Sequence, residues 1–517
     1  MTLKKRLGMI LAIAAVAAGI YGVGKAGITI KQTEETTEED SLLGHRETLY
    51  LWYTDEALTD YLGSVALSYS ESQDEVRVVP VYTSGLEYLE TINQASLNSD
   101  QAPDLYLISN DALEKAYLGG LASELQTPDG ARPGEEVFPE TAVHAVTYQD
   151  KMIAYPFSYE TSCLLFNRTY LEDWARAQIE AEADTAAGEE AQEQIDNGEN
   201  VPQEEAEQDE SAGAAAPEDA GQVTNVPDEE AVNARVEEAL PEIIDDILSF
   251  ADVYDAPEQV EAVFKWDVSD IFYNYFFVGD AIDVGGVNGD QADSICIYNE
   301  DAIRCMRVYQ SLNQFFSIDT KEISYAGVLQ DFIDGKIVYT VATSDALAKI
   351  EAAKAEGNFA YDYQVVTLPD VSAELKSASL SVTQSLVVNG YSSKKDLAND
   401  FAVYLTEGNT DDLYTRAGKL PVYTQGTLYE DANLAAFQKE YAVSVPMPKM
   451  IETSNFWVEL EIAFAKIWDG EDANKDLKAL SEKIMGQVLG EAYTEDYLDV
   501  PVEESHDSEE GDMPESE

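Results

Sequence analysis

The stretch KMIAYPFSYETSCLLFN, residues 151–167, holds two β-type runs that are separated by the polar cluster Ser158-Tyr159-Glu160. We interpret this pattern as a segment that crosses from one lobe of the protein to another, with a strand in each lobe. A second lobe also agrees with the length of 517 residues, because one hydrophobic core rarely covers so long a chain. The sequence therefore predicts two lobes that are joined by crossing segments.

Strands and helices alternate upstream of this crossing. The segment TLYLW (48–52) predicts a buried strand, and a helical pattern over 55–70 follows it. A second strand over 76–81, a helix over 85–98 and a third strand in APDLYLISND (102–111) continue the alternation. This spacing is typical of a parallel sheet, so the predicted fold class is α/β.

The pattern resumes in the second half of the chain and continues to residue 489. Strands are predicted at 337–343, 363–368 and 379–389. Helices are predicted at 241–254, 271–278, 300–316, 394–406, 411–416, 429–440, 456–467 and 474–489.

Three acidic stretches interrupt or flank this pattern. The longest, 179–239, lies within a region that has no aromatic residue between Trp174 and Phe250. Such a composition buries too little apolar surface to offset the entropy of ordering, so we predict a disordered acidic insert. Residues 26–45 are predicted to be a spacer, and 491–517 an acidic tail.

The charge balance excludes nucleic-acid binding. The chain carries 31 lysines and arginines against 100 aspartates and glutamates, and its net charge of -69 repels phosphate backbones and anionic lipid headgroups. We expect no nucleic-acid partner, and membrane contact only through the N-terminal segment.

The N-terminus predicts export. Lys4, Lys5 and Arg6 precede an uncharged apolar run over 7–23. A run of this length lies at the border between a signal-peptide core and a membrane span, so residues 1–25 are predicted to be a cleaved signal peptide or an N-terminal membrane anchor. The predicted location is the extracellular face of the cell membrane.

Neither the cysteines nor the histidines form a recognisable catalytic or metal site. Cys163, Cys296 and Cys305 lack the spacing of a zinc site. A disulfide between Cys296 and Cys305 is one interpretation, and buried free thiols are the preferred one. Because the three histidines are scattered along the chain, we predict no cofactor, no metal and no enzymatic activity.

Several separated segments resemble the maltose-binding protein family of extracellular solute receptors. The segments, in chain order, are LYLWYTDEAL (49–58), APDLYLISND (102–111), YQDKMIAYPFSYETSCLLFNRTYL (148–171), FIDGKIVYTVATSDAL (332–347) and SNFWVELEIAF (454–464). The resemblance implies a monomeric, two-lobed periplasmic-binding-protein-like fold that closes around its ligand. It also implies the substrate-binding component of an ABC importer, which captures a maltose- or maltodextrin-like carbohydrate and delivers it to permease subunits.

The resemblance places the crossings between the lobes near Tyr159 and Glu160 and near Leu380–Ser385. The chain is then divided into two discontinuous lobes. Lobe 1 is predicted to comprise 46–158 and 383–428, and lobe 2 to comprise 159–178, 240–382 and 429–490.

Eight residues are predicted to contact the ligand. A sugar receptor needs carboxylates that accept hydrogen bonds from hydroxyl groups and aromatic rings that stack on the apolar faces of the sugar. In the family, carboxylates after the third strand and in the crossing face the cleft, and a tryptophan near a helix start stacks on the sugar. The predicted residues are Asp55, Glu56, Asp111, Tyr159, Glu160, Tyr275, Asp345 and Trp457.

Each of these assignments has a structural alternative. An aspartate that directly follows a strand, such as Asp55 or Asp111, also serves as a helix N-cap. For Glu160 the alternative is a hydrogen bond within the hinge, and contact with the ligand is the preferred interpretation. Aromatic residues at helical spacing, such as Tyr275 and Trp457, also serve as core residues.

Two tryptophans of the family are replaced in this sequence. Ile108 or Ser109 stands at the first of these positions, and Ser344 and Asp345 stand near the second. This departure favours a sugar that is shorter than, or different from, a long maltodextrin. The alternative functions are a receptor for a polyamine or a metal chelate, and a surface adhesion or scaffold protein.

Overall fold

The structure is a computed structural model that describes residues 46–73, 75–99, 101–125, 137–196, 227–316 and 318–501. The predicted signal peptide or anchor (1–25) and the spacer (26–45) lie outside these residues. From Thr48 onward the described residues belong to one compact unit. Within the described ranges, no helix is both long enough and apolar enough to cross a membrane.

The strands occur in groups that alternate with helices along the chain. They are β1 Glu47–Tyr53, β2 Val76–Tyr82, β3 Leu105–Ser109, β4 Thr147–Tyr148, β5 Lys151–Met152, β6 Tyr155–Glu160, β7 Ser162–Asn167, β8 Ala262–Phe264, β9 Ile337–Thr343, β10 Tyr363–Val366, β11 Leu380–Val388, β12 Leu420–Pro421 and β13 Val445–Pro446.

The helices cover the faces of the sheets. They are α1 Thr59–Ser72, α2 Tyr88–Asn98, α3 Leu113–Leu118, α4 Glu140–Val146, α5 Arg168–Asp196, α6 Glu229–Glu238, α7 Ile244–Val253, α8 Glu300–Phe316, α9 Tyr325–Ile333, α10 Asp345–Glu356, α11 Lys395–Glu407, α12 Leu413–Ala417, α13 Ala432–Val443, α14 Phe456–Trp468 and α15 Ala473–Leu489.

The first lobe is built on a seven-stranded sheet with the order β12-β6-β11-β3-β1-β2, and β13 also pairs with β11. Strands β1 and β3 are parallel, whereas β11 runs antiparallel to both β3 and β6. Separate hydrophobic clusters cover its two faces. Burial on both faces explains why β1 and β3 appear in the sequence as nearly continuous apolar runs.

The second lobe is built on a four-stranded sheet with the order β10-β7-β9-β8. All seven residues of β9 are buried, because helices pack on both sides of this sheet. Two large clusters of buried side chains surround it. The two sheets confirm the predicted α/β class.

The chain passes between the two sheets near both predicted crossings. Thr161 alone separates β6 of the first sheet from β7 of the second. The segment 367–379 leads from β10 back to β11, and so ends where the second predicted crossing begins. A further passage, 447–455, follows β13 and leads to α14.

Helix α13 fixes the first two crossings to each other. Glu440, only 3% exposed, accepts a hydrogen bond from the Leu368 N–H at 3.0 Å and is also hydrogen-bonded to Ser379. The Thr161 hydroxyl in turn donates to the Ser379 Oγ at 2.9 Å. A buried carboxylate therefore lies at the centre of the hinge.

The ends of the acidic insert are helical, which corrects the predicted boundary of the disordered segment. Helix α5 continues to Asp196, and α6 occupies Glu229–Glu238. Val232 and Val236 of α6 are buried, so two apolar positions suffice to attach this helix to the core. The middle of the insert, 197–226, lies outside the described residues.

Ion pairs join these two helices. Arg176 pairs with Glu229 at 3.4 Å, and Glu182 pairs with Arg235 at 2.9 Å. The residue numbers increase along both helices from the first pair to the second, so α5 and α6 run in the same direction.

Two smaller predictions also require correction. The segment 271–278 forms two 3-10 turns, Ile271–Tyr273 and Tyr275–Phe277, instead of a helix. Between these turns, Asn274 accepts a hydrogen bond from the Trp266 indole N–H and donates to backbone oxygens. All three cysteines are free, and Cys296 is exposed, whereas a buried thiol was preferred.

Candidate functional site

A cavity of about 100 Å³ lies beside the first crossing. The ends of several strands of the first sheet contribute its walls, which places it at the edge where ligands of α/β proteins commonly bind. Its lining residues are Thr54, Asp55, Leu58, Leu107, Ser158, Tyr159, Glu160, Val382, Gln384 and Lys419.

Asp55 provides a carboxylate on the first lobe. It caps the 3-10 turn Glu56–Leu58 by accepting the Ala57 N–H at 3.0 Å, so the N-cap interpretation is confirmed. Its other oxygen pairs with Lys419 Nζ at 2.8 Å. Burial raises the pKa of Asp55, but the hydrogen bond and the charge of Lys419 lower it by more. The carboxylate is therefore ionised, and Lys419 balances its charge.

Glu160 ends β6 and projects between the lobes. Its side chain reaches solvent, yet enough protein surrounds it for burial to raise its pKa. Lys419 lowers this pKa, whereas the charges of Asp345 and Asp55 raise it. Among the described residues no side chain or backbone group donates a hydrogen bond to this carboxylate, so it is available to a ligand.

Asp345 provides the corresponding carboxylate on the second lobe. It begins α10, directly after β9, and accepts hydrogen bonds from Tyr325 at 2.6 Å and from Thr343 and Lys349. Burial raises its pKa, but these donors lower it more, so Asp345 is ionised and paired.

Two tyrosines form an aromatic platform beside Asp345. The rings of Tyr273 and Tyr325 are stacked at a centroid distance of 4.7 Å and an angle of 13°. Lys349 Nζ lies 5.3 Å from the Tyr325 ring centroid. Burial and the charges of nearby acids, Asp345 and Glu160 among them, raise the pKa of Tyr273, which places this platform near the carboxylate of the crossing.

Tyr159 lines the cavity but belongs mainly to the hinge. Its ring stacks on Tyr441 at 4.0 Å and 16°, and its hydroxyl accepts a hydrogen bond from Tyr429 at 3.2 Å. Because Tyr441 covers one face of the ring, that face is closed to a ligand.

Five of the predicted residues do not line this cavity: Glu56, Asp111, Tyr275, Asp345 and Trp457. Tyr275 is 1% exposed and contacts Trp457 edge-on at 5.4 Å, so it is a core residue that supports the partly exposed tryptophan. Asp111 is exposed and accepts a hydrogen bond from Ser109. Glu56 is exposed on the 3-10 turn beside Asp55.

The structure adds residues that the sequence did not predict. Lys419 reaches the cavity because it precedes β12, which pairs with β6. No local pattern around Lys419, Gln384, Tyr273, Tyr325 or Lys349 indicated a role. The only available signal was that basic residues are few in so acidic a chain.

Within the described part of the chain, no three or more histidine, cysteine, aspartate or glutamate side chains are grouped so that they could hold a metal ion. The polar side chains that share the cavity with Glu160 lie on or next to strands of the first sheet: Thr54, Asp55, Ser158, Gln384 and Lys419.

A family model for the bacterial extracellular solute-binding protein matches residues 68–426, well over half of the chain. The chain belongs to this family. An extracellular solute-binding protein is an exported protein that binds a solute. No curated protein sequence matches this solute-binding protein.

Solved structures of other solute-binding proteins share its fold at low sequence identity. A maltose-binding periplasmic protein from Listeria monocytogenes, in complex with maltose, is 18% identical, with a TM-score of 0.62 over 87% of this chain and 99% of that one. An extracellular solute-binding protein from Staphylococcus aureus, also with maltose, is 17% identical, with a TM-score of 0.61 over 86% and 98%.

A further structural neighbour is a cyclo/maltodextrin-binding protein in complex with maltotetraose. It is 17% identical, with a TM-score of 0.62 over 86% of this chain and 97% of that one. These likenesses confirm the predicted two-lobed fold.

Proposed function

We propose that this solute-binding protein captures a short maltose- or maltodextrin-like carbohydrate between its lobes and delivers it to the permease subunits of an ABC importer. One observation carries the proposal: Asp55 and the unpaired Glu160 line one cavity beside the crossing, where the charge of Asp345 on the second lobe also acts on Glu160. A ligand in this position would be held by groups from both lobes, which favours the closed form.

The balance of charge in the cleft suits a neutral, hydroxyl-rich ligand. Asp55 is paired with Lys419, and Asp345 with Lys349, so of these three carboxylates Glu160 alone keeps an unpaired charge. Ionised carboxylates form strong hydrogen bonds with hydroxyl donors. Thr54, Ser158 and Gln384 add neutral donors and acceptors around the same cavity.

The aromatic groups supply the apolar surfaces that a sugar also needs. On the second lobe, Tyr273 and Tyr325 stack on each other beside Asp345, so their stacked faces are closed to a ligand. Trp457, at the start of α14, is partly exposed and backed by Tyr275. Few aromatic platforms and many polar groups favour a short sugar over a long maltodextrin chain.

The same arrangement disfavours a polyamine. A polycation would meet the ammonium groups of Lys419 and Lys349, each of which already neutralises one aspartate. Since a single unpaired carboxylate attracts a polycation only weakly, we place this ligand class second.

Transport places the protein at the extracellular face of the cell membrane, as a monomer that is tethered or released through residues 1–25. Support for this proposal comes from the family, which is extracellular, and from the basic and apolar composition of that segment.

Binding can be tested by thermal denaturation of the chain from about residue 41 onward with mono- and oligosaccharides, polyamines and metal chelates. A ligand at about 100 times its Kd should add about 2.7 kcal/mol to the free energy of unfolding. We expect the increase with a short sugar, and expect Trp457→Ala to abolish it. Tyr497→Ala, which removes another exposed aromatic side chain, should leave it unchanged. Stabilisation by a polyamine or a chelate, but by no sugar, would refute the proposal.

A further inference from the structure

A loop of the second lobe reaches across to the first. Residues 283–296, here called the bridging loop, begin and end at an antiparallel bridge between Asp283 and Cys296. Ile282, Val284 and Ile297 at its base are buried in the core of the second lobe. The loop is therefore anchored in one lobe while its tip is free to contact the other.

The tip of the bridging loop contacts a turn of the first lobe. Asp290 Oδ2 accepts a hydrogen bond from the Gln149 N–H at 2.6 Å. Gln149 lies in the β4–β5 turn, whose neighbours Tyr148 and Met152 are buried in a core of the first lobe. The contact thus joins the lobes apart from the crossings of the chain.

The loop also packs closely on the passage 447–455. Gly289 accepts the Lys449 N–H at 2.7 Å through its backbone oxygen. A Cβ atom at Gly289 would lie 2.6 Å from the Cα of Pro448, and the residue has a φ of +64°. Only glycine fits this contact, so a substitution there would displace the loop.

Lys449 occupies the centre of this contact and is 1% exposed. Its Nζ donates to the backbone oxygen of His144 at 2.9 Å, in the last turn of α4, and to the backbone oxygen of Asn288 in the bridging loop. One buried amine therefore holds together α4, which leads into the β4–β5 turn of the first lobe, and the bridging loop of the second lobe.

Few charged groups surround this amine. Asp290 is the nearest acid that acts on it, and its Oδ1 is buried without a hydrogen-bond partner among the described residues. The His144 imidazole is also close, since Lys449 lowers its pKa. Glu114 accepts from the Ile451 N–H and from Tyr148, so its carboxylate is already engaged in hydrogen bonds.

We propose that Lys449 is a positioning residue that sets how readily the lobes separate: its protonated amine fastens the bridging loop to the first lobe, and loss of the proton loosens it. An ammonium group interacts favourably with Asp290 and with the carboxyl end of α4, whereas a neutral amine keeps only the weaker hydrogen bonds. Burial lowers the pKa of Lys449 to about 7, although the charge of Asp290 acts to raise it. The amine therefore gains or loses its proton within the range of extracellular pH.

The proposal concerns lobe motion and is tested without any solute, so it stands or falls independently of the proposed ligand. Fluorophores at Leu67→Cys on α1 and Phe315→Cys on α8 would report the distance between the lobes, since both positions are about 60% exposed. The background is Cys296→Ser, because Cys163 and Cys305 are buried.

Energy transfer in the ligand-free protein should change between about pH 6 and about pH 8.5, with a midpoint near the pKa of Lys449. Asp290→Asn should move the midpoint to lower pH, because it removes the acid that raises this pKa. Lys449→Met should abolish the pH transition. Gly289→Ala should also abolish it, because the added Cβ displaces the bridging loop although the lysine is still present.

His144→Asn is the matched control, because it removes the other group that titrates nearby but keeps the backbone oxygen that Lys449 contacts. The transition should persist in this variant. If Lys449→Met does not fold, Asp290→Asn and Gly289→Ala still decide the matter. A wild-type protein without a pH transition, or a midpoint that is unchanged in Asp290→Asn, would overturn the proposal.

Discussion

Replacing Glu440 by alanine should lower the free energy of unfolding by about 3 kcal/mol. The carboxylate is 3% exposed and accepts hydrogen bonds from the Leu368 N–H and from Ser379. Without it, these donors lose their partner in a place that water does not reach, and each such loss costs about 1–3 kcal/mol. Urea denaturation, followed by far-ultraviolet circular dichroism, would measure the change.

Lys439→Ala is the matched control, because it removes an exposed side chain from the adjacent position of the same helix. It should change stability by less than about 0.5 kcal/mol. If Glu440→Ala is no less stable than this control, the carboxylate does not hold the hinge.

Glu440 should also make stability depend on pH. Burial raises its pKa above the usual value of 4.5. Between pH 4.5 and this raised pKa, the folded protein keeps a proton that the unfolded chain has lost. The contribution of this group to stability therefore decreases as the pH rises through that interval. Glu440→Gln cannot titrate and should lack this part of the pH profile.

The second large effect is expected at Glu160. If the proposed function is correct, Glu160→Ala should weaken sugar binding by about 2–3 kcal/mol, roughly 30- to 150-fold, because a hydrogen bond to a charged group is lost. Isothermal titration calorimetry with the sugar found in the thermal screen would measure this. Glu258→Ala, which removes an exposed acid outside the cavity, should keep the wild-type Kd.

The pH dependence of binding provides a separate check on Glu160. Its pKa is raised by burial and by neighbouring acids, and only the ionised form carries the charge that strengthens the hydrogen bonds it accepts from hydroxyl groups. The affinity for the sugar should fall as the pH decreases through the pKa of Glu160. The Glu160→Gln variant should bind the sugar weakly, with an affinity that does not depend on pH. An unchanged wild-type affinity at low pH would exclude a contact with this carboxylate.

Much of the fold was predictable because buried strands leave a strong signal. The predicted strand at 337–343 coincides with β9, and those in TLYLW and APDLYLISND coincide with β1 and β3. Strands that are buried on both faces need apolar residues at successive positions, and polar residues follow where the chain emerges. The crossing at Tyr159 and Glu160 was predicted for the same reason.

The ends of the insert were harder to predict, since α6 buries only Val232 and Val236. It also forms ion pairs and a hydrogen bond with α5, and a composition argument does not show which of these side chains meet. The sequence identified the acidic character of this region but not the part of it that the core holds in place.

The candidate site was predictable only in part. Asp55, Glu160 and Asp345 follow or end strands, and this position in the chain predicts a place at the edge of a sheet. Lys419 and Tyr325 have no such signal, because their roles arise from contacts with Asp55 and Asp345 across the folded structure. Tyr275 was misassigned because an aromatic ring in the core and one in a cleft look the same in a sequence.

The central position of β11 has a consequence for the order in which the protein is made. This strand lies between β3 and β6 in the sheet. Its residue Thr383 donates a backbone hydrogen bond to Asn110, which lies 273 positions earlier in the chain. A nascent chain therefore exposes unpaired strand edges until most of its length has been synthesised, and closing so long a loop is slow. The topology itself delays folding, which suits an exported protein that adopts its native structure outside the cell.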